Sequence, residues 1–170
     1  MDLQPRLDAL IDEATRAIEA GGQLLVFGNG GSAADAQHLA AELVGRFAAD
    51  RRALPALALS SDTAVLTAVA NDLGYDRVFA RQVEALARPG DLLLALSTSG
   101  SSPNVLRAVA AGAERGCVCW GMTGRAPNLL SALLTDRVLA VPSTETARIQ
   151  EAHGFLGHVL CAQLERALRL

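Results

Sequence analysis

Residues 24–32, Leu-Leu-Val-Phe-Gly-Asn-Gly-Gly-Ser, pass from an apolar run directly into small polar residues ahead of a helical pattern. Residues 92–102 repeat this arrangement, with Leu-Leu-Leu-Ala-Leu followed by Ser-Thr-Ser-Gly-Ser-Ser. Glycines let the backbone approach an anion, and the helix that follows offers unpaired N–H groups and the positive end of its dipole. Two such loops predict a binding site for a phosphorylated small molecule.

Apolar runs alternate with segments of helical periodicity along the whole chain. Strands are predicted over residues 23–27, 55–59, 91–96, 117–122 and 137–141. Helices are predicted between them, over residues 32–47, 62–71, 76–87, 103–115 and 128–134, and at the two ends, over residues 3–19 and 145–170. Strands that are apolar on both faces are typical of a parallel sheet covered by helices on both sides. We therefore expect an α/β fold, a three-layer αβα sandwich with a five-stranded parallel sheet.

The helix predicted at the carboxyl end is apolar on more than one side, because Leu, Ala, Phe and Val are distributed around it. A helix of this kind packs against something beyond its own sheet. We expect the two terminal helices to take part in oligomerisation.

Composition narrows the possible functions. The 170 residues, of which 51% are hydrophobic, are enough for one well-buried domain, predicted over residues 1–170. The net charge is −3, and no run of like charges favours nucleic acid or a membrane surface as a partner. No apolar stretch approaches the roughly 20 residues of a membrane span. All 15 basic residues are Arg, which excludes Schiff-base catalysis by lysine and a Walker-type phosphate loop.

The three cysteines, Cys117, Cys119 and Cys161, lie inside predicted strands or helices. We expect buried, reduced thiols, as in a cytoplasmic protein. The spacing of Cys117 and Cys119 is not that of a zinc knuckle.

The hydroxyls of residues 97–102 exceed what a structural turn requires. One or two would be enough to lead a strand into a helix, with Ser102 as the N-cap before Pro103 in the first turn. Five hydroxyls in six residues favour phosphate binding instead. Ligands of open parallel sheets bind at the carboxyl ends of strands, beside the point where strand order reverses. Both small-residue loops lie at such ends.

His38 and Glu42 are four residues apart in one predicted helix, so their side chains project from the same face. Spacing alone also allows a solvent-facing pair that only stabilises the helix. The nearby glycine loop favours a role in a site.

The last helix carries a second polar cluster. At about 100° per residue, His153 and His158 lie roughly 140° apart around the axis, so one of them is predicted to be structural. Glu151 lies about 20° from His158 and Gln150 about 80°, so spacing slightly favours Glu151 as its partner and leaves both open.

Several motifs occur in order along nearly the whole chain: residues 28–32 (GNGGS), 37–47 (QHLAAELVGRF), 70–72 (AND), 97–102 (STSGSS) and 148–151 (RIQE), the last followed by His158. Together they resemble the sedoheptulose 7-phosphate isomerases, also called phosphoheptose isomerases, of the sugar-isomerase (SIS) superfamily. The resemblance implies a flavodoxin-like SIS fold and a homotetramer with active sites near subunit interfaces. It implies conversion of sedoheptulose 7-phosphate to D-glycero-D-manno-heptose 7-phosphate, without a nucleotide cofactor.

The resemblance also implies roles for single residues. Glu42 would be the catalytic base and His158 its acid or base partner. The substrate-binding positions would be Asn29, Gly30, Gly31, Ser32, Glu42, Asn71, Asp72, Ser97, Thr98, Ser99, Ser102 and Gln150, with the hydroxyls of residues 97–102 holding the phosphate. Zinc, which some members bind, would be held by His38, Glu42, Gln150 and His158. The resemblance thereby selects Gln150 over Glu151.

The implied roles agree with the chemistry of the reaction. Interconversion of a ketose and an aldose moves a proton between C1 and C2 through an enediol, which requires a base and a proton donor. A carboxylate and an imidazole meet that need, and a divalent ion could stabilise the enediolate. Two imidazoles, one carboxylate and one amide form a plausible zinc set.

One other function remains open. A sister group of SIS proteins binds the bacterial replication initiator as tetrameric scaffolds, and residues 66–72 (LTAVAND) resemble that group as well. Such scaffolds tend to lack an acid and a base at the positions of Glu42 and His158. Residues 28–33 also satisfy the relaxed G-x-G-x-x-A pattern of nicotinamide sites. That function is not expected, because Ser60 rather than an acidic residue follows the next predicted strand, and the second hydroxyl-rich loop would be unexplained.

Overall fold

The computed structural model describes residues 3–168, which contain one five-stranded sheet. Its strands are β1 (Leu24–Gly28), β2 (Ala56–Ala58), β3 (Leu92–Ser97), β4 (Val118–Thr123) and β5 (Val138–Ala140). All neighbours are parallel, in the order β2-β1-β3-β4-β5. The five predicted strands are confirmed, and the order is that of flavodoxin-like folds.

The two small-residue loops meet at the centre of the sheet. β1 pairs with β3 along its full length, from Leu24 opposite Leu92 to Gly28 opposite Leu96. The chain continues from β1 to β2 on one side and from β3 to β4 on the other, so strand order reverses between β1 and β3. Their carboxyl ends therefore flank the crevice in which such sheets bind ligands.

Helices cover both faces of the sheet. They are α1 (Gln4–Glu19), α2 (Gly31–Val44), α3 (Thr63–Leu73), α4 (Ala80–Leu86), α5 (Pro103–Glu114), α6 (Leu129–Leu134) and α7 (Thr146–Ala167). Buried residues of α1, α2 and α7 pack on one face of the sheet, and those of α4, α5 and α6 pack on the other. The predicted αβα sandwich is confirmed, and of the predicted last helix only residues 169 and 170 lie outside the described part.

The central strands form the core because they are apolar on both faces. Leu24 and Val26 pack among the side chains of α1, α2 and α7, whereas Leu25 and Phe27 face the opposite layer. All four side chains are fully buried. Burial on both sides explains the unbroken apolar run that the sequence shows here.

Two helices differ from the predictions. The helix predicted over residues 76–87 is a 3-10 turn, Tyr75–Arg77, followed by the separate α4. The turn forms because Gly74, with a φ of +92°, ends α3, and Arg77 N–H then bonds three residues back to the Gly74 carbonyl. The helix predicted over residues 32–47 ends at Val44, because the N–H groups of residues 47–49 bond instead to the carboxylate of Glu165 on α7.

The three cysteines are free thiols. Cys119 and Cys161 are buried as predicted, and burial raises the pKa of each to about 12. Cys117 departs from the prediction because it is only half-buried. Among the described residues, no helix is both long and apolar enough to cross a bilayer.

Candidate active site

The loop after β1 brings the backbone of the glycine motif against α7. Gly30 has a φ of +56°, a conformation that glycine adopts without steric cost. A Cβ on Gly31 would overlap the side-chain amide of Gln150, and Ser32 is buried beneath the loop. The close approach places Gln150 beside the first turn of α2.

Asn29 is held by a reciprocal pair of amide hydrogen bonds. Its Nδ2 donates to Asn104 Oδ1 at 2.9 Å, and Asn104 Nδ2 donates to its Oδ1 at 2.8 Å. The hydroxyl of Tyr75 also donates to Asn29 Oδ1, at 3.1 Å. An amide nitrogen carries two N–H donors, so one donor of Asn29 is left for a ligand. Sequence reasoning missed Asn104, which lies in the first turn of α5, directly after residues 97–102, called here the serine loop.

The serine loop wraps over the start of α5. Ser97 is 4% exposed, and its Oγ accepts the Gly100 N–H at 3.1 Å and lies 3.3 Å from Ser102 Oγ. Ser102 occupies the N-cap position, but its side chain makes no capping bond, contrary to the predicted cap. Thr98 is half-buried and Ser99 is exposed at the loop surface. The Ser102 hydroxyl thus stays at the mouth of a helix N-terminus, where an anion is stabilised.

Three ionisable side chains converge between α2 and α7. His38 and Glu42 come from α2 and His158 from α7, and one ligand atom from each lies within 4.8 Å of the other two. His38 Nε2 is 2.9 Å from His158 Nε2 and 3.6 Å from Glu42 Oε1. The predicted grouping of these three side chains is therefore found in the structure.

Two other polar residues of α7, Glu151 and His153, differ in their surroundings. Glu151 is exposed, and its carboxylate accepts a 2.6 Å hydrogen bond from Arg148. His153 is buried, with its Nε2 3.3 Å from the Thr123 carbonyl oxygen. Both α7 histidines line one small pocket, so the prediction that one of them is purely structural is not confirmed. The choice between Gln150 and Glu151 as the partner of His158 stays a prediction. In the structure, α7 is oriented so that the side chain of Gln150 lies against Gly31 in the first turn of α2.

Two buried polar groups line the same small pocket as the histidines, and sequence reasoning missed one of them. Asp35 Oδ2 and His153 Nδ1 are buried without a hydrogen-bond partner. Burial raises the pKa of the Asp35 carboxyl, which nearby His38 partly offsets, and burial lowers the pKa of His153 despite its contact with the Thr123 carbonyl. The three-residue spacing of Asp35 and His38 on one helix was the available signal.

Asn71 and Asp72 lie in the last turn of α3, where both are exposed and Asn71 Nδ2 donates to Asp72 Oδ1 at 2.7 Å. Tyr75, three residues beyond Asp72, reaches Asn29 in the glycine loop. The end of α3 is thus tied to the crevice, and direct contact of these two residues with a sugar stays a prediction.

Comparison with known proteins identifies the family of this site. The family model for the SIS domain matches residues 2–124. A phosphoheptose isomerase of Pelobacter propionicus is 52% identical over 167 residues, which cover 98% of this chain and 88% of the relative. The structure of phosphoheptose isomerase GmhA from Neisseria gonorrhoeae matches with a TM-score of 0.90 and 44% identity, over 95% of this chain and 86% of that one. A phosphoheptose isomerase from Francisella tularensis matches with a TM-score of 0.91 and 38% identity, again over 95% and 86%.

This chain belongs to the phosphoheptose isomerase family. The resemblance inferred from the motifs is confirmed, and the initiator-binding scaffold is not favoured. The matched SIS segment ends at residue 124, before α7. Two of the predicted site residues, Gln150 and His158, therefore lie beyond it.

Proposed function

We propose that this phosphoheptose isomerase converts sedoheptulose 7-phosphate to D-glycero-D-manno-heptose 7-phosphate by aldose–ketose isomerisation, with the whole chain acting as one SIS domain. The observation that carries the proposal is the convergence of Glu42, His38 and His158 in a chain about half identical to phosphoheptose isomerases. Leu96, which directly precedes the serine loop, lines the same pocket as the two histidines. Every group that the reaction needs is present at one edge of the sheet.

The phosphate is held at the start of α5. Ser97, Thr98, Ser99 and Ser102 supply hydroxyls there, and the helix supplies N–H groups and the positive end of its dipole. This arrangement supports phosphate binding in a chain that has no lysine. The phosphate anchors one end of a seven-carbon sugar, whose hydroxyls contact Asn29, Gly30, Gly31, Ser32, Asn71, Asp72 and Gln150.

Proton transfer occurs at the other end of the sugar. Glu42 removes the proton from C1 of the ketose and returns it to C2, so a cis-enediol lies between the two steps. His158 donates a proton to the carbonyl oxygen and accepts one from the neighbouring hydroxyl. Both side chains come from rigid helices, which supports accurate placement of base and acid.

A zinc ion fits the same cluster. Two imidazole nitrogens and one carboxylate oxygen form a donor set that catalytic zinc sites use. His38, Glu42 and His158 would hold the metal, and Gln150 is the proposed fourth ligand. When bound, zinc polarises the carbonyl and stabilises negative charge on the two sugar oxygens.

The protein acts as a homo-oligomer, which we propose to be a tetramer with active sites near subunit interfaces. α3 has an apolar sequence but no buried residue, and Leu73 at its end is 51% exposed. Phe155 on α7 is 67% exposed. Apolar helix faces left open in one protomer support burial between copies. Three free thiols support a reducing, cytoplasmic setting.

Turnover of sedoheptulose 7-phosphate by the purified protein tests the function directly. We expect the aldose product to form. We expect Glu42→Gln and His158→Asn each to reduce kcat about 100- to 10,000-fold, the range that loss of a general acid or base causes. Glu151→Gln is the matched control on α7, because within residues 3–168 the Glu151 carboxylate pairs only with Arg148, which is exposed. Equal activity in all four proteins would overturn the assigned roles.

Metal dependence is measured on the same protein after dialysis against a chelator. We expect activity to fall and to return when Zn²⁺ is added. Full activity of the dialysed protein, with zinc absent by elemental analysis, would contradict the metal proposal and leave the acid and base roles in place.

A further inference from the structure

A buried ion pair outside the proposed site joins the two helices that carry it. Arg51, in the segment after α2, donates from Nε to Glu165 Oε1 on α7 at 2.9 Å. The side chain of Arg51 is 0% exposed and that of Glu165 is 6% exposed. Burying two charges costs desolvation energy that their attraction seldom exceeds, so stability alone explains such a pair poorly.

Arg51 also ends the helix that carries the proposed base. Its Nη2 donates to the backbone carbonyl of Glu42 at 2.7 Å, and its Nη1 donates to that of Leu43 at 2.9 Å. Carbonyls in the last turn of a helix have no partner within the helix, and a cation there also interacts favourably with the dipole. One guanidinium thus fixes the backbone of Glu42 itself.

Glu165 holds the following loop against the proposed acid. Its carboxylate accepts the N–H groups of Phe47 and Ala49 at 3.0 Å each, and that of Ala48 at 3.3 Å. The ring of Phe47 lies 5.5 Å from the imidazole of His158, tilted by 36°. Burial raises the pKa of Glu165, but the N–H donors and Arg51 outweigh it, so the pKa lies below its usual range and the group stays ionised.

We propose that Arg51 and Glu165 are positioning residues that set the distance between Glu42 and His158. The pair connects the backbone of Glu42 through one charged group to the helix of His158, and through Phe47 to the His158 ring. This inference rests on the proposed roles of Glu42 and His158, and neither Arg51 nor Glu165 touches substrate.

The first test separates kcat from KM in the Arg51→Met and Glu165→Gln variants. Misplacement of Glu42 and His158 by a fraction of an ångström lowers kcat. The affinity for the substrate changes little, because the serine loop still binds the phosphate. We expect kcat to fall about 10- to 100-fold and KM to change less than about threefold, measured well below the melting temperature of each variant. Arg51→Lys keeps the charge without the planar fork, so it should recover part of kcat.

Glu13→Gln is the matched control. Glu13 accepts hydrogen bonds from Nε and Nη2 of Arg137 at 3.0 Å each and from Trp120 Nε1 at 2.6 Å. It thereby joins α1 to the β4 and β5 end of the sheet. The Glu13→Gln variant should have a lower melting temperature than wild type and the same kcat. If Glu165→Gln behaves in the same way as Glu13→Gln, the ion pair is merely structural and the proposal is overturned.

A second readout is independent of turnover. Long-range ¹H–¹⁵N spectra resolve the imidazoles of His38, His153 and His158, the three histidines of the chain. We expect Glu165→Gln to shift the His38 and His158 signals, which report their 2.9 Å contact, and to leave His153 unchanged. Unchanged signals from all three would overturn positioning. If the wild-type protein turns over no heptose phosphate, the proposed function fails. The spectra alone then decide whether Arg51 and Glu165 position the two histidines. If Arg51→Met does not fold, Glu165→Gln and Arg51→Lys supply the same test.

Discussion

His153 shows how one buried side chain makes stability depend on pH. Its imidazole is 2% exposed, and burial lowers its folded-state pKa below the ordinary value of 6.5. The unfolded chain therefore binds a proton at a higher pH than the folded protein does. Stability from this group is complete above pH 6.5 and is lost as the pH falls below that value.

We expect the His153→Gln variant to lack this loss. Its free energy of unfolding relative to wild type should improve by up to about 1.4 kcal/mol per pH unit below pH 6.5. Urea unfolding at pH 7.5, 6.5 and 5.5 measures the difference. The raised pKa of the Asp35 carboxyl affects both proteins and so cancels. If the free energies of unfolding of wild type and His153→Gln changed with pH in parallel, a lowered His153 pKa would be contradicted.

At the scale of the element, α5 and the serine loop before it form the proposed phosphate-binding site. The hydroxyl of Ser102 stands at the helix N-terminus without capping it, so we expect it to bind the phosphate. A hydrogen bond to a charged group contributes about 1.5–3 kcal/mol, so Ser102→Ala should raise KM roughly 10- to 100-fold with little change in kcat.

Inhibition by inorganic phosphate checks the same contact without the sugar. Its inhibition constant should rise in parallel with KM in Ser102→Ala. Thr15→Ala removes a hydroxyl that bonds the Ile11 carbonyl within α1, and it serves as a control with unchanged KM. A Ser102→Ala protein with wild-type KM would show that the phosphate lies elsewhere.

Local sequence pattern predicts those elements whose causes are local. The apolar runs ending in Gly28 and Ser97 are buried on both faces, so their strands could be predicted from the sequence. The end of α2 was not, because the acceptor for the N–H groups after it is Glu165, more than 110 residues away. Gln150 and Glu151 could not be separated for a similar reason, since only the packing of α7 on Gly31 decides which one turns inward.

At the scale of the whole molecule, the site is an assembly of distant segments. His38 and His158 are 120 residues apart in the chain and meet only because α2 and α7 pack side by side on one face of the sheet. The motifs indicated that both histidines act together, and the resemblance rather than the spacing made that link. Helix packing also leaves Phe155, on the same α7, exposed in the protomer.

Phe155→Glu tests whether that exposed ring is buried between subunits. A carboxylate in an apolar interface loses hydration without gaining a partner, so we expect the variant to dissociate to a smaller species. Light scattering coupled to size exclusion measures the mass, and circular dichroism should show an unchanged fold. Phe155→Leu keeps an apolar side chain and should retain the wild-type mass.

Since the active sites are proposed to lie near interfaces, kcat of Phe155→Glu should fall together with the mass and recover at high protein concentration. A Phe155→Glu protein with the mass of wild type would place the interface on another surface, with the open apolar face of α3 as the next candidate.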